Sequence, residues 1–479
     1  MKKSTGVIGV VVLVAAAYVG TSWYVGKEAQ ATVEHIVAQA NERLVKVLGA
    51  DLGGSGLNIE IKEYNRQFFS SDISYSIHMQ GDDGKPVELK MHDHLQHGPF
   101  PLGALRKGDF SPMLAYSQAS LVASPATQTW FDSQAGKAPV HGETRVGFFG
   151  KGKSVWTFEP TNLVEDNETL AFSGGVIEIA FSNDFNDHTA TGDFAELSLM
   201  DDDTGDDLKI RNVRINSKTA TGQQDDIAVA TTATVDAVVI DGKSDDALVI
   251  ENMTINLDSL QKASLLDGSL RYDFGRIAVG NAELGSVSIG VKAEHLDMAA
   301  ITAMAVEYDA IRASHGVEEN QDFELTDAEE AVMRDRIMAI LASNPVLSID
   351  PLVWKNKKGQ SQAGLKVNLA KPANPDVADN QVLVAEIFKR IQLDLSLSKS
   401  MFIQVFGQAE KVPEQRLQME LLGALLYDQY IARLKQAGLV RVEGDTASLD
   451  VLYENNSVNV NGQTMPVDEF LQRAMSVGM

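Results

Sequence analysis

Alternation of apolar and polar residues over residues 57–291 limits what this chain can fold into more than any other feature. A clear stretch, ISYSIHM, runs from Ile73 to Met79, and the alternation resumes after the turn sequence at Gly81–Gly84. Successive side chains of a β-strand point to opposite faces, so each such strand has one apolar and one polar face. We therefore predict a long antiparallel sheet or meander built from hairpins.

Two of the predicted strands resemble each other. The segments Asp207–Asn216 and Ala247–Asn256 share the pattern Ile-x-Asn-(Val/Met)-x-Ile-Asn at an offset of 40 residues. This likeness indicates either a repeated structural unit or the chance similarity that antiparallel strands often have, and both interpretations stay open.

The N-terminus carries an uncharged run from Ser4 to Gly26, preceded by Lys2 and Lys3. As a helix this run would span about 34 Å, enough for a hydrocarbon core of about 30 Å. Lysines ahead of the run favour a cytoplasmic N-terminus and a periplasmic bulk. We predict a single-pass bacterial inner-membrane anchor; the alternative is a signal peptide cleaved after Ala17 or Ala31.

Helical spacing and capping residues organise the remainder. Asp297 and the capping box that begins at Thr326 predict a helical pair, and Ser124 with Pro125 at the first helical position predicts a short helix. Pro413 to Ala437 has the strongest helical pattern outside the N-terminus. The predicted fold is α+β and β-rich, and its five segments are a membrane anchor (1–26), a juxtamembrane helix (27–50), a β-rich domain (51–295), a helical connector (296–345) and a mixed α+β C-terminal domain (346–479).

The composition excludes several classes of function. The formal net charge is −25 and the pI is near 4.7, so phosphate backbones would repel the chain and we expect no nucleic-acid partner. The chain has no cysteine, which excludes disulfides, thiol catalysis and cysteine-ligated zinc. The nucleophile pattern G-x-S-x-G and the zinc pattern H-E-x-x-H do not occur in the sequence.

Two segments match binding motifs in letters only. Gly147–Ser154 fits the phosphate-loop pattern G-x-x-x-x-G-K-S, but Val155–Phe158 alternates like a strand where that motif needs a helix. We predict a hairpin there and no nucleotide partner. Asp201–Asp207 is rich in carboxylates, but Asn212 stands where a calcium loop needs glutamate, so we predict a solvated turn.

Three of the nine histidines, His92, His94 and His97, lie within six residues. His92 and His94 would share one face of a strand and could chelate a metal, with His78 on the neighbouring strand as a further ligand. We expect the strand to end before His97, so His97 would join them only if the chain bends. The alternative is a pair of histidines on a half-exposed polar face, and we expect no metal or other cofactor.

The run His97-Gly98-Pro99-Phe100-Pro101 follows the histidines. Each proline fixes its own φ and restricts the residue before it, which predicts a rigid corner that directs Phe100. A Lys-Lys apolar anchor, an outward helix and a hairpin ending in this corner together resemble the YdgA-like family of bacterial envelope proteins. The turn at Asn459–Gln463 suits the same family.

The resemblance covers nearly the whole chain and implies an inner-membrane anchor with a periplasmic body. It implies no known reaction, and the members carry a domain of unknown function, so the corner is a candidate binding site of unknown role. More loosely, the long alternating strands are similar to those of AsmA-like envelope proteins, which are linked to lipid handling.

Three functions fit these observations. The first is a non-enzymatic, anchored periplasmic protein that binds an apolar, lipid-like ligand or an envelope component on its extended sheet. The second is a periplasmic scaffold or assembly factor that binds a protein partner through the Phe100 corner and the helix from Pro413. The third is a metal-dependent hydrolase centred on His92, His94 and His97.

Overall fold

The computed structural model describes residues 37–38, 41, 57–80, 86–165, 167–182, 187–201, 203–222, 226–242, 246–316, 323–375, 380–408, 410 and 412–478. The predicted membrane anchor and most of the predicted juxtamembrane helix lie outside these residues. No helix among the described residues is long and apolar enough to cross a membrane. Val37, Ala38 and Asn41, which belong to the predicted juxtamembrane helix, are helical.

The chain divides into two compact units, unit 1 (residues 1–221) and unit 2 (residues 222–479). This division falls inside the segment 51–295, and the segment limits given above stay a prediction. The described part of the chain is β-rich, with long antiparallel pairings and eight helices, as the alternation predicts.

Unit 1 is an antiparallel sheet. Its strands are β1 (Asn58–Arg66), β2 (Ser70–Gln80), β3 (Pro86–His97), β4 (Ala115–Val122), β5 (Val140–Val146), β6 (Gly152–Phe158), β7 (Thr161–Glu165), β8 (Glu168–Phe172), β9 (Gly175–Phe181), β10 (His188–Asp201) and β11 (Asp206–Thr221). Strands β1 to β6 pair in sequence order, followed by β9, β10 and β11. The β7–β8 hairpin attaches through β8 to the second half of β10. The helices are α1 (Leu102–Arg106) and α2 (Gln128–Ser133).

The core of unit 1 is closed. Ile73, Leu95 and Val140 have no exposed surface, and Trp156 is 1% exposed. Val37 packs into the same core, while the Asn41 side chain accepts a hydrogen bond from Ile59 N–H and donates one to the Ile59 carbonyl. Val37 and Asn41 therefore lie against unit 1, and Asn41 contacts its first strand.

Unit 2 combines antiparallel strands with six helices. Its strands are β12 (Ile227–Asp241), β13 (Leu248–Lys262), β14 (Leu265–Val279), β15 (Ala282–Asp297), β16 (Val346–Asn356), β17 (Gly359–Leu369), β18 (Phe388–Ser398), β19 (Arg441–Glu443), β20 (Thr446–Glu454), β21 (Ser457–Val460) and β22 (Gln463–Pro466). Its helices are α3 (Met298–His315), α4 (Asp327–Leu341), α5 (Asn380–Ile387), α6 (Lys399–Gln408), α7 (Pro413–Gln436) and α8 (Val467–Gly478). Strands β12 to β18 pair in sequence order and β20 follows β18.

The predicted helical pair is confirmed. Asp297 caps α3 by accepting from the N–H groups of Ala299 and Ala300, and Thr326 forms the predicted capping box with Glu329 at the start of α4. The short helix predicted from Ser124 is wrong in its start, because α2 begins only at Gln128. The N–H of Ser124 donates to Oγ1 of Thr127 at 2.9 Å and closes a turn there.

The similarity between the segments Asp207–Asn216 and Ala247–Asn256 extends to the backbone conformation. Asn212 in β11 and Asn252 in β13 both have a left-handed φ, at 51° and 53°, within paired strands. Asparagine tolerates this region better than most residues. The shared Ile-x-Asn pattern therefore marks a shared local strand conformation.

Candidate functional site

Strand β3 extends to His97, so the expected end of the strand before the third histidine is wrong. His97 pairs with Ala115, and its N–H donates to the Phe69 carbonyl at 2.8 Å. These backbone hydrogen bonds keep His97 in the sheet, and Gly98 and Pro99 then end the strand.

The histidines do not converge. Nδ1 of His94 lies 2.7 Å from Oδ1 of Asp72, and Nε2 of His92 lies 3.8 Å from the same oxygen, which confirms that both share one face. His97 lies on the other face, with Nε2 3.1 Å from the Ser71 hydroxyl. His78 approaches Glu60 instead, at 3.5 Å. No group of three metal-ligating side chains forms among the described residues.

Between these histidines lies a buried carboxyl that the sequence analysis did not single out. Asp93 has no exposed surface, and its Oδ1 accepts a hydrogen bond from the Ser117 hydroxyl at 2.6 Å. Oδ2 has no hydrogen-bond partner in the described part of the chain. Burial raises the pKa of Asp93 to about 6, against the lowering effect of Ser117. In the sequence, the only sign of this buried group is that Asp93 occupies an inward position of the alternation, between the apolar residues Met91 and Leu95.

The corner after His97 is held by backbone contacts. The N–H of Gly98 donates to the Leu114 carbonyl at 2.7 Å, and the N–H of Met113 donates to the Pro99 carbonyl at 3.0 Å. A Cβ on Gly98 would lie 1.9 Å from the Met113 oxygen, so only glycine fits. The Gly98–Pro99 peptide bond is cis. Phe100 is 53% exposed and Pro101 is buried.

The two motif matches have the geometries predicted for them. Residues 147–151 form the turn of the β5–β6 hairpin, in which the N–H of Gly147 donates to the Lys151 carbonyl at 2.8 Å. A strand follows this turn where a phosphate loop requires a helix. Asp201 ends β10 and residues 203–205 form a turn before β11, and Oδ1 of Asp201 accepts from the N–H groups of Asp203 and Thr204.

Unit 2 carries a wide apolar surface. Cross-strand partners place apolar side chains opposite one another over strands β13 to β18, and we call these residues the apolar face. The apolar face consists of Met253, Ile255, Leu257, Leu270, Tyr272, Phe274, Val287, Ile289, Val291, Ala293, Leu347, Ile349, Leu352, Trp354, Ala363, Leu365, Val367, Ile391, Leu393 and Leu395. The opposite face is polar, as the aligned residues Thr254, Asp273 and Ser288 illustrate.

The apolar face is covered at one side and half-open at the other. Leu393 packs against a buried cluster that includes Tyr427 of α7 and Val451 of β20. None of the face residues in β13 to β17 is fully buried, and Leu257 and Leu347 are 40% and 43% exposed. The half-open part, β13 to β17, is five strands wide, which corresponds to about 19 Å at about 4.8 Å per strand gap.

A second apolar surface lies on α7. Leu417, Leu421 and Leu425 follow one another at intervals of four, which places them along one side of the helix. They are 64%, 64% and 65% exposed, whereas Tyr427 on another side is buried.

The chain is similar to known proteins over nearly its whole length. The family model for "Bacterial protein of unknown function (DUF945)" matches residues 1–468. The chain belongs to this family. It is 24% identical to Protein YdgA of Escherichia coli K12 over 98% of this chain and 96% of that protein. It is 25% identical to the uncharacterized protein YihF of the same organism, over 99% and 98%.

A shorter similarity, 29% identity, links it to an uncharacterized Haemophilus influenzae protein over 29% of this chain and 37% of that one. No solved structure matches the chain. The resemblance to the YdgA-like family is thereby confirmed, and none of these relatives' names states a reaction or a ligand.

Proposed function

We propose that this protein is a non-enzymatic, inner-membrane-anchored periplasmic protein that binds an apolar, lipid-like ligand on the sheet of unit 2. The observation that carries the proposal is the half-open apolar face of β13 to β17. Large exposed apolar surfaces on folded domains commonly mark binding sites. The uncharged run at residues 4–26 supports the anchor and the location.

The chemistry of the face defines the ligand. The apolar face contains no charged side chain, and its hydrogen-bonding groups are few. Trp354 satisfies its indole N–H by donating to the Leu284 carbonyl at 2.7 Å. A ligand held here gains contact through buried apolar area and has no charged partner, which favours acyl chains over sugars or peptides.

A lysine introduced on either face of the sheet tests the proposal. Leu347 and Ser348 are neighbours in β16 with side chains on opposite faces, so Leu347→Lys places a charge on the apolar face and Ser348→Lys is its matched control. The full chain, extracted in mild detergent, should retain lipid in native mass spectrometry, and Leu347→Lys should lose it while Ser348→Lys keeps it. Absence of bound lipid from the unmodified protein, or equal retention by both variants, would refute the proposal.

The exposed leucine stripe of α7 favours a second candidate, a scaffold that binds a protein partner. A photo-crosslinking residue at Leu421 should capture one defined protein in cells, since amphipathic helices bind through leucines at this spacing. Gln429 lies two turns further along the exposed side and supplies the control position. Equal labelling from both positions would count against the scaffold.

A further inference from the structure

Three loops of unit 1 meet at one end of its sheet. They are the β1–β2 turn (67–69), the β3–β4 connection (98–114) and the β5–β6 turn (147–151), and we call them the phenylalanine edge. Their common position follows from pairing, because His97 is opposite Ala115 and Ala115 is opposite Val146. The His97 N–H to Phe69 carbonyl bond joins the first loop to the same end.

The exposed phenylalanines of the protein are concentrated in these loops. All six phenylalanines that are exposed among the described residues lie here, together with Leu102, which is 66% exposed. They are Phe68 (86%), Phe69 (72%), Phe100 (53%), Phe110 (72%), Phe148 (48%) and Phe149 (87%). Scattered exposed apolar residues are ordinary, but six rings from three loops at one edge are not. The six strands that carry them, β1 to β6, span about 24 Å at about 4.8 Å per gap.

Three basic side chains lie in or directly beside the same loops. Arg66, Arg106 and Lys151 are exposed and form no ion pair with another described residue. The one acidic side chain in the three loops, Asp109, is paired with Arg145 at 3.0 Å. The edge is therefore locally basic on a chain whose net charge is −25.

We propose that the phenylalanine edge docks onto the surface of an anionic lipid bilayer. Exposed phenylalanine and leucine side chains bury their apolar surface at the boundary between headgroups and acyl chains, and unpaired lysines and arginines are attracted to anionic headgroups. The corner supplies rigidity, since the bonds from Gly98 to Leu114 and from Met113 to Pro99 close the base of the loop that carries Phe100. A second copy of this chain would bring the three cations against their own equivalents, and the one acidic side chain of the loops, Asp109, is already paired with Arg145. This docking involves unit 1 and is independent of the ligand proposed for unit 2.

The absence of cysteine allows a clean test. Phe149→Cys and Ala126→Cys introduce single labelling sites in exposed turns at opposite ends of the unit 1 sheet. The full chain, carrying an environment-sensitive fluorophore at either site, is reconstituted into vesicles of phosphatidylethanolamine and phosphatidylglycerol that contain spin-labelled lipid. Vesicles of phosphatidylcholine alone provide the neutral comparison.

Quenching at position 149 should exceed quenching at position 126 by about threefold or more, since only an inserted label meets the lipid quencher. The excess should fall in the neutral vesicles and in the variant Phe68→Ser/Phe69→Ser. Equal, low quenching at both sites would overturn the proposal. A label at position 149 that is shielded from water but not quenched by lipid would also overturn it, because a protein would then occupy the edge.

Discussion

At the scale of single residues, Asp93 is the most unusual position in unit 1. Its carboxyl lies in a closed core with one oxygen bonded to Ser117 and the other without a partner in the described chain. A buried carboxyl in such surroundings disfavours its charged form, which is how burial raises the pKa. The group therefore opposes folding at neutral pH.

Replacement of Asp93 by asparagine should stabilise the protein in a pH-dependent manner. The pKa of Asp93 in the folded state, about 6, lies above its ordinary value of 3.8. The folded protein therefore has its full stability with respect to this group below pH 3.8 and loses that part of its unfolding free energy as the pH rises through 6. The gain of Asp93→Asn in unfolding free energy should grow from near zero at pH 4 to about 3 kcal/mol at pH 7.5.

Denaturant unfolding of both proteins at the two pH values measures this difference. Asp273→Asn is a control of opposite sign, because the hydrogen bond from Arg271 lowers the pKa of Asp273. A pH-independent difference for Asp93→Asn would contradict the prediction.

Gly98→Ala should destabilise the corner by about 1–3 kcal/mol, as overpacking does elsewhere. The added methyl would lie 1.9 Å from the Met113 carbonyl oxygen, which is backbone and cannot rotate away. Chemical denaturation, with limited proteolysis of residues 98–114, reports the effect. Gly268→Ala is the control, because its Cβ would meet no atom closer than 3.9 Å. Identical stability of the two variants would show that the corner relaxes without cost.

The role of a single residue can be predicted from the sequence only where its interaction is local. The caps at Asp297 and Thr326 bond to backbone groups within three residues, so they can be recognised in the sequence. The pairing of His94 with Asp72 and the burial of Asp93 depend on which strands become neighbours. That information is spread over the chain, and no local pattern contains it.

At the scale of elements, the strands with a central asparagine show how one residue shapes a pairing. The apolar residues Ile250 and Met253 are three apart rather than two, and Asn252 with its left-handed φ lies between them. The neighbouring strand accommodates this with Gly275, whose Cβ would lie 2.8 Å from the Asn252 Cβ. The repeated pattern in the sequence thus has a physical cause.

Asn252→Val should lower the unfolding free energy by about 1–2 kcal/mol, because a β-branched residue is strained at positive φ. Asn252→Gly should be tolerated much better, since glycine adopts this conformation freely. Thr254→Val, in the same strand, serves as the control for a change to valine without a positive φ. Urea titration of the three variants tests the order; a Val variant as stable as the Gly variant would disprove the interpretation.

Hairpins and long helices are predictable at this scale, whereas short helices between strands are not. The alternation in β2 and β3 and the helical pattern of α7 are confirmed. Helix α6 begins directly after β18, and its cap is the last residue of that strand, Ser398, whose hydroxyl accepts from the Met401 N–H at 3.2 Å. Because Ser398 also continues the alternation of β18, the sequence does not separate the strand from the helix there. Helix α2 begins later than predicted because Ser124 and Thr127 form a turn first.

At the scale of the whole molecule, units 1 and 2 differ in how completely they cover their apolar faces. Sequence alternation is equally clean in both, so it predicts two-faced sheets but not what covers them. The core of unit 1 contains Ile73 and Leu95 without exposed surface, whereas β13 to β17 keep their apolar face half-open. The division after Thr221 was likewise not predictable, because strands on either side of it have the same pattern.

Hydrogen exchange should reflect this difference. Amides of β3 to β5 lie in a closed core and should exchange more slowly than those of β13 to β15, whose side chains leave one face accessible to water. Mass spectrometry of deuterium uptake in the full chain compares the two sets. Protection of β13 to β15 equal to that of β3 to β5, in protein stripped of lipid, would contradict a half-open face.

The sequential pairing of unit 2 has a kinetic consequence. Because each strand from β12 to β18 joins the one completed just before it, loop closure involves short separations for most of the sheet, which favours rapid, stepwise growth. Until β20 and α7 have been synthesised and have folded, however, β18 is an unpaired edge strand that any other extended chain could join. The interval between synthesis of β18 and of the C-terminal helices is therefore when this protein is most vulnerable to aggregation.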